Sequence, residues 1–126
     1  MDKALFDLGD KTRRAVLGDR HVDASLANAS DFTRPVQELV TEYGWGAIWS
    51  RPGLPRKTRS MLNLAMLTAL NRPHELKVHL RGALTNGVTE DEIREVLLQT
   101  AAYCGMPAAL DSFRIAREVL DEAKAG

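Results

Sequence analysis

The sequence predicts an all-α fold of about six helices in a single domain, 1–126. Three observations carry this expectation. Apolar residues recur three and four positions apart through long stretches, no segment alternates between apolar and polar residues as a half-buried strand does, and Gly and Pro fall where the helical stretches end. A chain of 126 residues buries about two thirds of its unfolded surface without disulfide or metal staples, so two separate cores are not expected.

Taken in order, residues 3–17 form a first helix on Leu5, Leu8 and Val16, interrupted by Gly9 and ended by Gly18-Asp19. Residues 20–32 are rich in small and polar side chains and read as an ordered connection with one helical turn at most. Thr33 is suited to cap the next helix, whose first turn holds Pro35, where the missing N–H is not needed. Its expected buried face is Val36, Leu39, Val40 and Tyr43. Gly44 and Gly46 weaken it around Trp45, and Arg51-Pro52-Gly53-Leu54-Pro55 breaks it.

The helix over 55–70 is apolar nearly all round in its second half, through Met61, Leu62, Leu64, Ala65, Met66, Leu67 and Leu70, the pattern of a helix enclosed by others or by a partner subunit. Asn71-Arg72-Pro73 turns the chain into a helix that runs to Asn86-Gly87, where the glycine is free to take the left-handed conformation. Thr89-Glu90-Asp91-Glu92 has capping-box spacing and sets acidic side chains at the positive end of the following helix. That helix is expected to bury Ile93, Val96, Leu97, Thr100, Ala101 and Cys104 before Gly105-Met106-Pro107 stops it. The last helix packs on Phe113, Ala116, Val119 and Leu120.

Composition narrows the function classes. Lys+Arg 17 against Asp+Glu 17 gives no net charge, so the chain lacks the global positive field on which nucleic-acid and anionic-membrane binding usually draw. One cysteine, Cys104, excludes an internal disulfide and any Cys-x-x-Cys pair, and fits a reducing compartment. The first residues are too polar for the apolar core of a signal peptide and no run reaches the length of a membrane span. A cytoplasmic location is therefore expected.

His79 stands out, because it shares a helix face with Leu76, Leu80, Ala83 and Leu84 while Glu75 lies one turn earlier and Arg72 two turns earlier. Two readings are open: a core histidine satisfied by a carboxylate or carbonyl, or a general acid/base tuned toward neutrality by its neighbour. Glu75 and His79 alone do not make a metal site, since no third ligand is apparent, and no metal is expected. No serine elbow and no Gly-rich phosphate loop is present. Cys104 sits in an apolar stripe, which favours a small buried hydrophobe. Trp45 and Trp49 flank a basic turn at Arg51 and suit either an apolar wall with an anion-binding rim or a subunit interface. Arg56, Lys57 and Arg59 are expected to be solvated unless one of them clamps a carboxylate at a pocket mouth.

Four segments, LGDRHVDASLANASDF, YGWGAIWSRPGL, RKTRSMLNLAMLTALNR and ELKVHLRGALTNGVTEDEIREVLLQTAAYCGMPAA, together resemble the carboxymuconolactone decarboxylase family. The resemblance runs from about Leu17 to Ala109. It implies an alkylhydroperoxidase D-like helical fold assembled into trimers or hexamers, and loss of carbon dioxide from 4-carboxymuconolactone to give 4-oxoadipate enol-lactone, a step of protocatechuate breakdown in the β-ketoadipate pathway. No cofactor is implied. His79 would return the proton with Glu75 orienting it, Arg51, Arg59 or Arg72 would hold the second carboxylate or the oxyanion, and Trp45 and Trp49 would supply an apolar wall. In the peroxidase branch a Cys-x-x-Cys precedes the histidine, and this chain has Arg72 and Glu75 in that stretch instead. The alternatives are a thiol-dependent hydroperoxide reductase of the same superfamily and a non-enzymatic helical assembly module. The expected partners are a small dicarboxylate lactone and further copies of this chain.

Overall fold

The computed structural model describes residues 1–126, and every regular element is helical. Seven α-helices occur: α1 (Lys3–Leu17), α2 (Asp19–Ala27), α3 (Arg34–Leu39), α4 (Arg56–Ala69), α5 (Pro73–Thr85), α6 (Glu90–Cys104) and α7 (Met106–Ala125). A π-helical segment, Val40–Trp49, continues α3. The elements fall into two compact units, Met1–Pro55 and Arg56–Gly126. Each unit buries its own apolar cluster.

In the first unit α1 begins at Asp2, whose carboxylate accepts the Leu5 N–H at 3.1 Å, and ends at Gly18 with φ +87°. The region expected to be a connection is instead the nine-residue helix α2. Gly18 lets the chain turn and restart without a linker. Arg14 then ties the two helices, reaching Asp10, Asp19 and Asp23 at 3.0, 3.2 and 2.8 Å. Its hydrogen bonds to Asp23, Asp19 and Asp10 push the guanidinium pKa further up.

The face expected to be buried in α3 and the π segment is the exposed one: Val36, Leu39, Val40 and Tyr43 all face solvent, and Thr41, Trp45, Gly46 and Trp49 are buried. The reason is a close backbone approach. A Cβ on Gly9 of α1 would overlap the Thr41 carbonyl oxygen and come within 2.7 Å of the Gly46 nitrogen, and one on Gly46 would overlap the Leu5 carbonyl. Gly46 therefore sets which face turns inward rather than weakening the helix. Trp45 and Trp49 stack one turn apart, with ring centroids 4.7 Å apart and planes at 27°, and pack with Val16. Ser50 Oγ lies 2.7 Å from Thr12 Oγ1 and donates to the Trp45 carbonyl at 2.8 Å, which satisfies the polar groups bordering this cluster.

In the second unit α4 packs along α5 and α6, and α7 along α6 and α5, around Leu64, Leu76, Leu80, Ile93, Leu97 and Val119. Full burial of a Leu or Ile side chain is worth about 1.5–3 kcal/mol, so these side chains hold the helices together. The capping box forms as expected. Thr89 Oγ1 accepts the Glu92 N–H at 3.1 Å and Glu92 Oε1 accepts the Thr89 N–H at 2.9 Å. That backbone bond, followed by Lys57, holds the Glu92 carboxyl below the usual range. Its contribution to stability is present at neutral pH and is lost as pH falls through the lowered value. Gly87 takes φ +87° at the end of α5. Of the residues on α4 expected to be enclosed, Leu62, Met66 and Leu70 are exposed, while Ser60, Leu64 and Thr68 are buried. The buried hydroxyls are paired: Asn86 Nδ2 donates to Ser60 Oγ at 2.9 Å, and Ser112 Oγ to Thr68 Oγ1 at 2.9 Å.

Candidate active site

Four of the expected site residues lie in the second unit. Arg72 is the residue before α5, Glu75 sits in its first turn, and His79 follows one turn later. Pro73 starts the helix because its fixed φ suits the first turn and its missing N–H needs no partner. Arg72 and Glu75 are exposed and His79 is half-buried, so the ring stands where solvent gives way to packed side chains. Arg59 lies on α4, half-buried, with Nε shielded from solvent.

The sequence gives no direct sign of what steadies His79. Asn63 of α4 places its amide nitrogen 3.4 Å from His79 Nδ1. An amide N–H only donates, so Nδ1 accepts and the neutral ring carries its proton on Nε2. The contact is long for a hydrogen bond, and it fixes which ring nitrogen faces α4. Arg59 precedes Asn63 by one turn, on the same face of α4, so a cation, an amide and an imidazole are arranged along the α4 and α5 pair. The readable signal for Asn63 is its polarity: it is the one amide in Met61-Leu62-Asn63-Leu64-Ala65-Met66.

Arg51, Trp45 and Trp49 lie in the first unit. Arg51 is exposed, and the two tryptophans are 5% and 9% exposed within the unit's own core. Their rings stack on each other within that core.

Cys104 departs from expectation: it is exposed. It lies in the last turn of α6 beside exposed Tyr103 and Met106, beyond the part of the apolar stripe that neighbouring helices cover. With no second cysteine in the chain, an intramolecular disulfide cannot form. Cys104→Ser is expected to leave turnover unchanged and stability within about 0.5 kcal/mol, as read by steady-state assay and thermal melting. No helix is long and apolar enough to cross a membrane, and no group of three or more His, Cys, Asp or Glu side chains gathers as a metal site would need.

The model of the carboxymuconolactone decarboxylase family matches residues 34–118, which include His79, Asn63, Arg59, Arg72 and Glu75. The chain is 46% identical over 122 residues to nitrosuccinic acid decarboxylase of Metarhizium robertsii, covering 97% of this chain and 85% of that protein. It is 43% identical over 121 residues to 4-carboxymuconolactone decarboxylase of Acinetobacter baylyi, covering 96% of this chain and 90% of that protein. A 4-carboxymuconolactone decarboxylase of Pseudomonas putida matches over 45 residues at 44% identity, covering 36% of this chain and 94% of that protein. A family model matching two thirds of the residues, and two decarboxylases aligned along nearly the whole length, establish that this chain belongs to the carboxymuconolactone decarboxylase family and is a carboxy-lyase.

Proposed function

We propose that the chain, acting over 1–126 as one decarboxylase domain, converts 4-carboxymuconolactone to 4-oxoadipate enol-lactone in protocatechuate breakdown, without metal or organic cofactor. The observation that carries this choice of substrate is the 43% identity to the Acinetobacter baylyi enzyme along 90% of that enzyme's length. The residues of the second unit match what the reaction requires.

The departing carboxylate sits on the γ-carbon of an unsaturated lactone. When its C–C bond breaks, the electron pair moves through the ring double bond to the lactone carbonyl, giving a dienolate and carbon dioxide. The substrate supplies its own electron sink. The protein stabilises the oxyanion, keeps the leaving carboxylate poorly solvated and returns one proton to the ring carbon next to the carbonyl. His79, with Nδ1 held by Asn63, presents Nε2–H as the proton source. Arg59, half-buried one turn from Asn63, faces the developing oxyanion or the remaining carboxylate. Arg72 and Glu75 stand at the exposed start of α5, where Arg72 meets an incoming anion and Glu75 biases the orientation of His79. The tryptophan pair and Arg51 belong to the first unit, and these roles rest on none of them.

A second reading has specific support in the 46% identity to a nitrosuccinic acid decarboxylase. Nitrosuccinate also carries two carboxylates, and the electrons left behind by carbon dioxide move onto the nitro group as they do onto the lactone carbonyl. One acid and one arginine serve both substrates. Supplying purified protein with 4-carboxymuconolactone tests the first reading: carbon dioxide appears in step with loss of the lactone's ultraviolet absorption, and folded protein that releases none removes it.

The same proposal includes an alkylhydroperoxidase D-like assembly of several copies in the cytoplasm. Its motive is exposed apolar surface: Leu62, Met66 and Leu70 form one stripe on α4, and Leu39, Val40 and Tyr43 another in the first unit. Light scattering at micromolar concentration is expected to give a multiple of 13.9 kDa, and the monomer mass contradicts it.

A further inference from the structure

We propose that Arg13 is a carboxylate receptor: a guanidinium buried in the first unit whose anionic partner comes from outside the protomer. Arg13 is 6% exposed. Arginine is almost never buried this far unless an acid accompanies it, because an uncompensated charge taken out of water carries a penalty of several kcal/mol. No carboxylate of this chain lies within ion-pair distance of Arg13. Asp10, one turn earlier on α1, is held by Arg14 at 3.0 Å.

The partners that Arg13 does have are neutral and use one nitrogen. Nη1 donates to Gln37 Oε1 at 3.1 Å and to Thr41 Oγ1 at 3.4 Å. Nε is buried without an acceptor. The edge formed by Nε and Nη2 is the one that takes a carboxylate side-on through two parallel bonds, and no acceptor of this chain meets it. Desolvation pushes the Arg13 pKa down from its ordinary value, and the attraction of the Asp10 charge, already held by Arg14, does not offset it.

Gln37 belongs to α3, a six-residue helix with no buried residue and no side-chain cap. Such a turn has few buried contacts to hold it, and the proposal includes its displacement when the anion arrives. If Arg13 served only to brace α1 against the π segment, neutral acceptors would suit an uncharged donor as well, and the buried charge would have no use.

The carboxylate can belong to a small diffusible dicarboxylate or to an acidic side chain of a second copy of this chain, and the experiment separates the two. The readout is the Arg13 Nε–H proton resonance of the wild-type protein, which requires no substitution, followed during titration with succinate. A resonance in the position of a carboxylate-bonded proton before any succinate is added identifies a protein acid. In that case Arg13→Met lowers the mass seen by light scattering. A resonance that moves to that position saturably with succinate identifies a small-molecule site, and Arg13→Met weakens succinate binding by about tenfold or more, the equivalent of one charge-assisted contact. Arg13→Lys, which keeps the charge but not the fork, recovers binding only in part. A resonance that is free at the start and unmoved by saturating succinate overturns the proposal, as does Arg13→Met with unchanged mass and unchanged succinate affinity.

Discussion

Gly9→Ala is expected to destabilise the protein by about 3 kcal/mol, and to lower its melting midpoint by about 10 °C, although the change adds a single methyl group to a helix. Alanine is the better helix former, so local propensity predicts the opposite sign. Packing decides the outcome. The added Cβ overlaps the Thr41 carbonyl and comes within 2.7 Å of the Gly46 nitrogen, and both atoms are backbone, which cannot rotate away as a side chain can. α1 and the π segment must separate, and Val16, Trp45 and Trp49 lose their shared cluster. Gly44→Ala is the matched control in the same segment, since a Cβ there meets nothing within 4 Å. It is expected to be neutral or to stabilise by under about 1 kcal/mol. Equal melting points for the two variants would remove the close approach from the account.

His79→Gln is expected to lower kcat by about 100- to 10,000-fold, the usual range for removal of a positioned acid, with KM nearly unchanged. Glutamine keeps most of the volume and a hydrogen-bonding end group for Asn63, so folding and assembly are retained and can be checked by circular dichroism and light scattering. Asn63→Ala tests the positioning role. It leaves the imidazole present but without the Asn63 contact to Nδ1, so its loss of kcat is expected to be the smaller of the two. Undiminished turnover in His79→Gln, in a protein shown to be folded, takes His79 out of the mechanism.

The all-α class was legible because its signals are local. Pro35, Pro73, the Thr89–Glu92 capping box, Gly87 and the Arg51–Pro55 break each act within a few residues, and each lies where an element starts or stops. What the sequence concealed depends on contacts between elements. Val36, Leu39, Val40 and Tyr43 have helical spacing, but the close approach of Gly9 and Gly46, from two distant elements, turns the opposite face inward. The π segment has a wider turn than the α-helical period assumes, so a face read at that period drifts off the true one. α2 looked like a connection because its composition is small and polar, whereas Arg14 and three aspartates hold it in place.

The candidate site was legible in part for the same reason. His79 and Glu75 stand one turn apart in one helix and Arg72 immediately precedes it, so their closeness followed from the sequence. Asn63 comes from α4, sixteen residues away, and its contact with His79 exists only after α4 and α5 pack. Cys104 had the spacing of a buried residue, and the limit of the helix neighbours left it exposed. Arg13 had no readable signal at all, because its burial depends on Gln37 and Thr41 arriving from another helix.

Decarboxylation of 4-carboxymuconolactone is tested by kcat/KM for that lactone measured beside nitrosuccinate with one preparation of folded protein. The expected result is release of one carbon dioxide per lactone, formation of the enol-lactone, and a higher kcat/KM for the lactone than for nitrosuccinate. A higher kcat/KM for nitrosuccinate, or no carbon dioxide from the lactone, would contradict it.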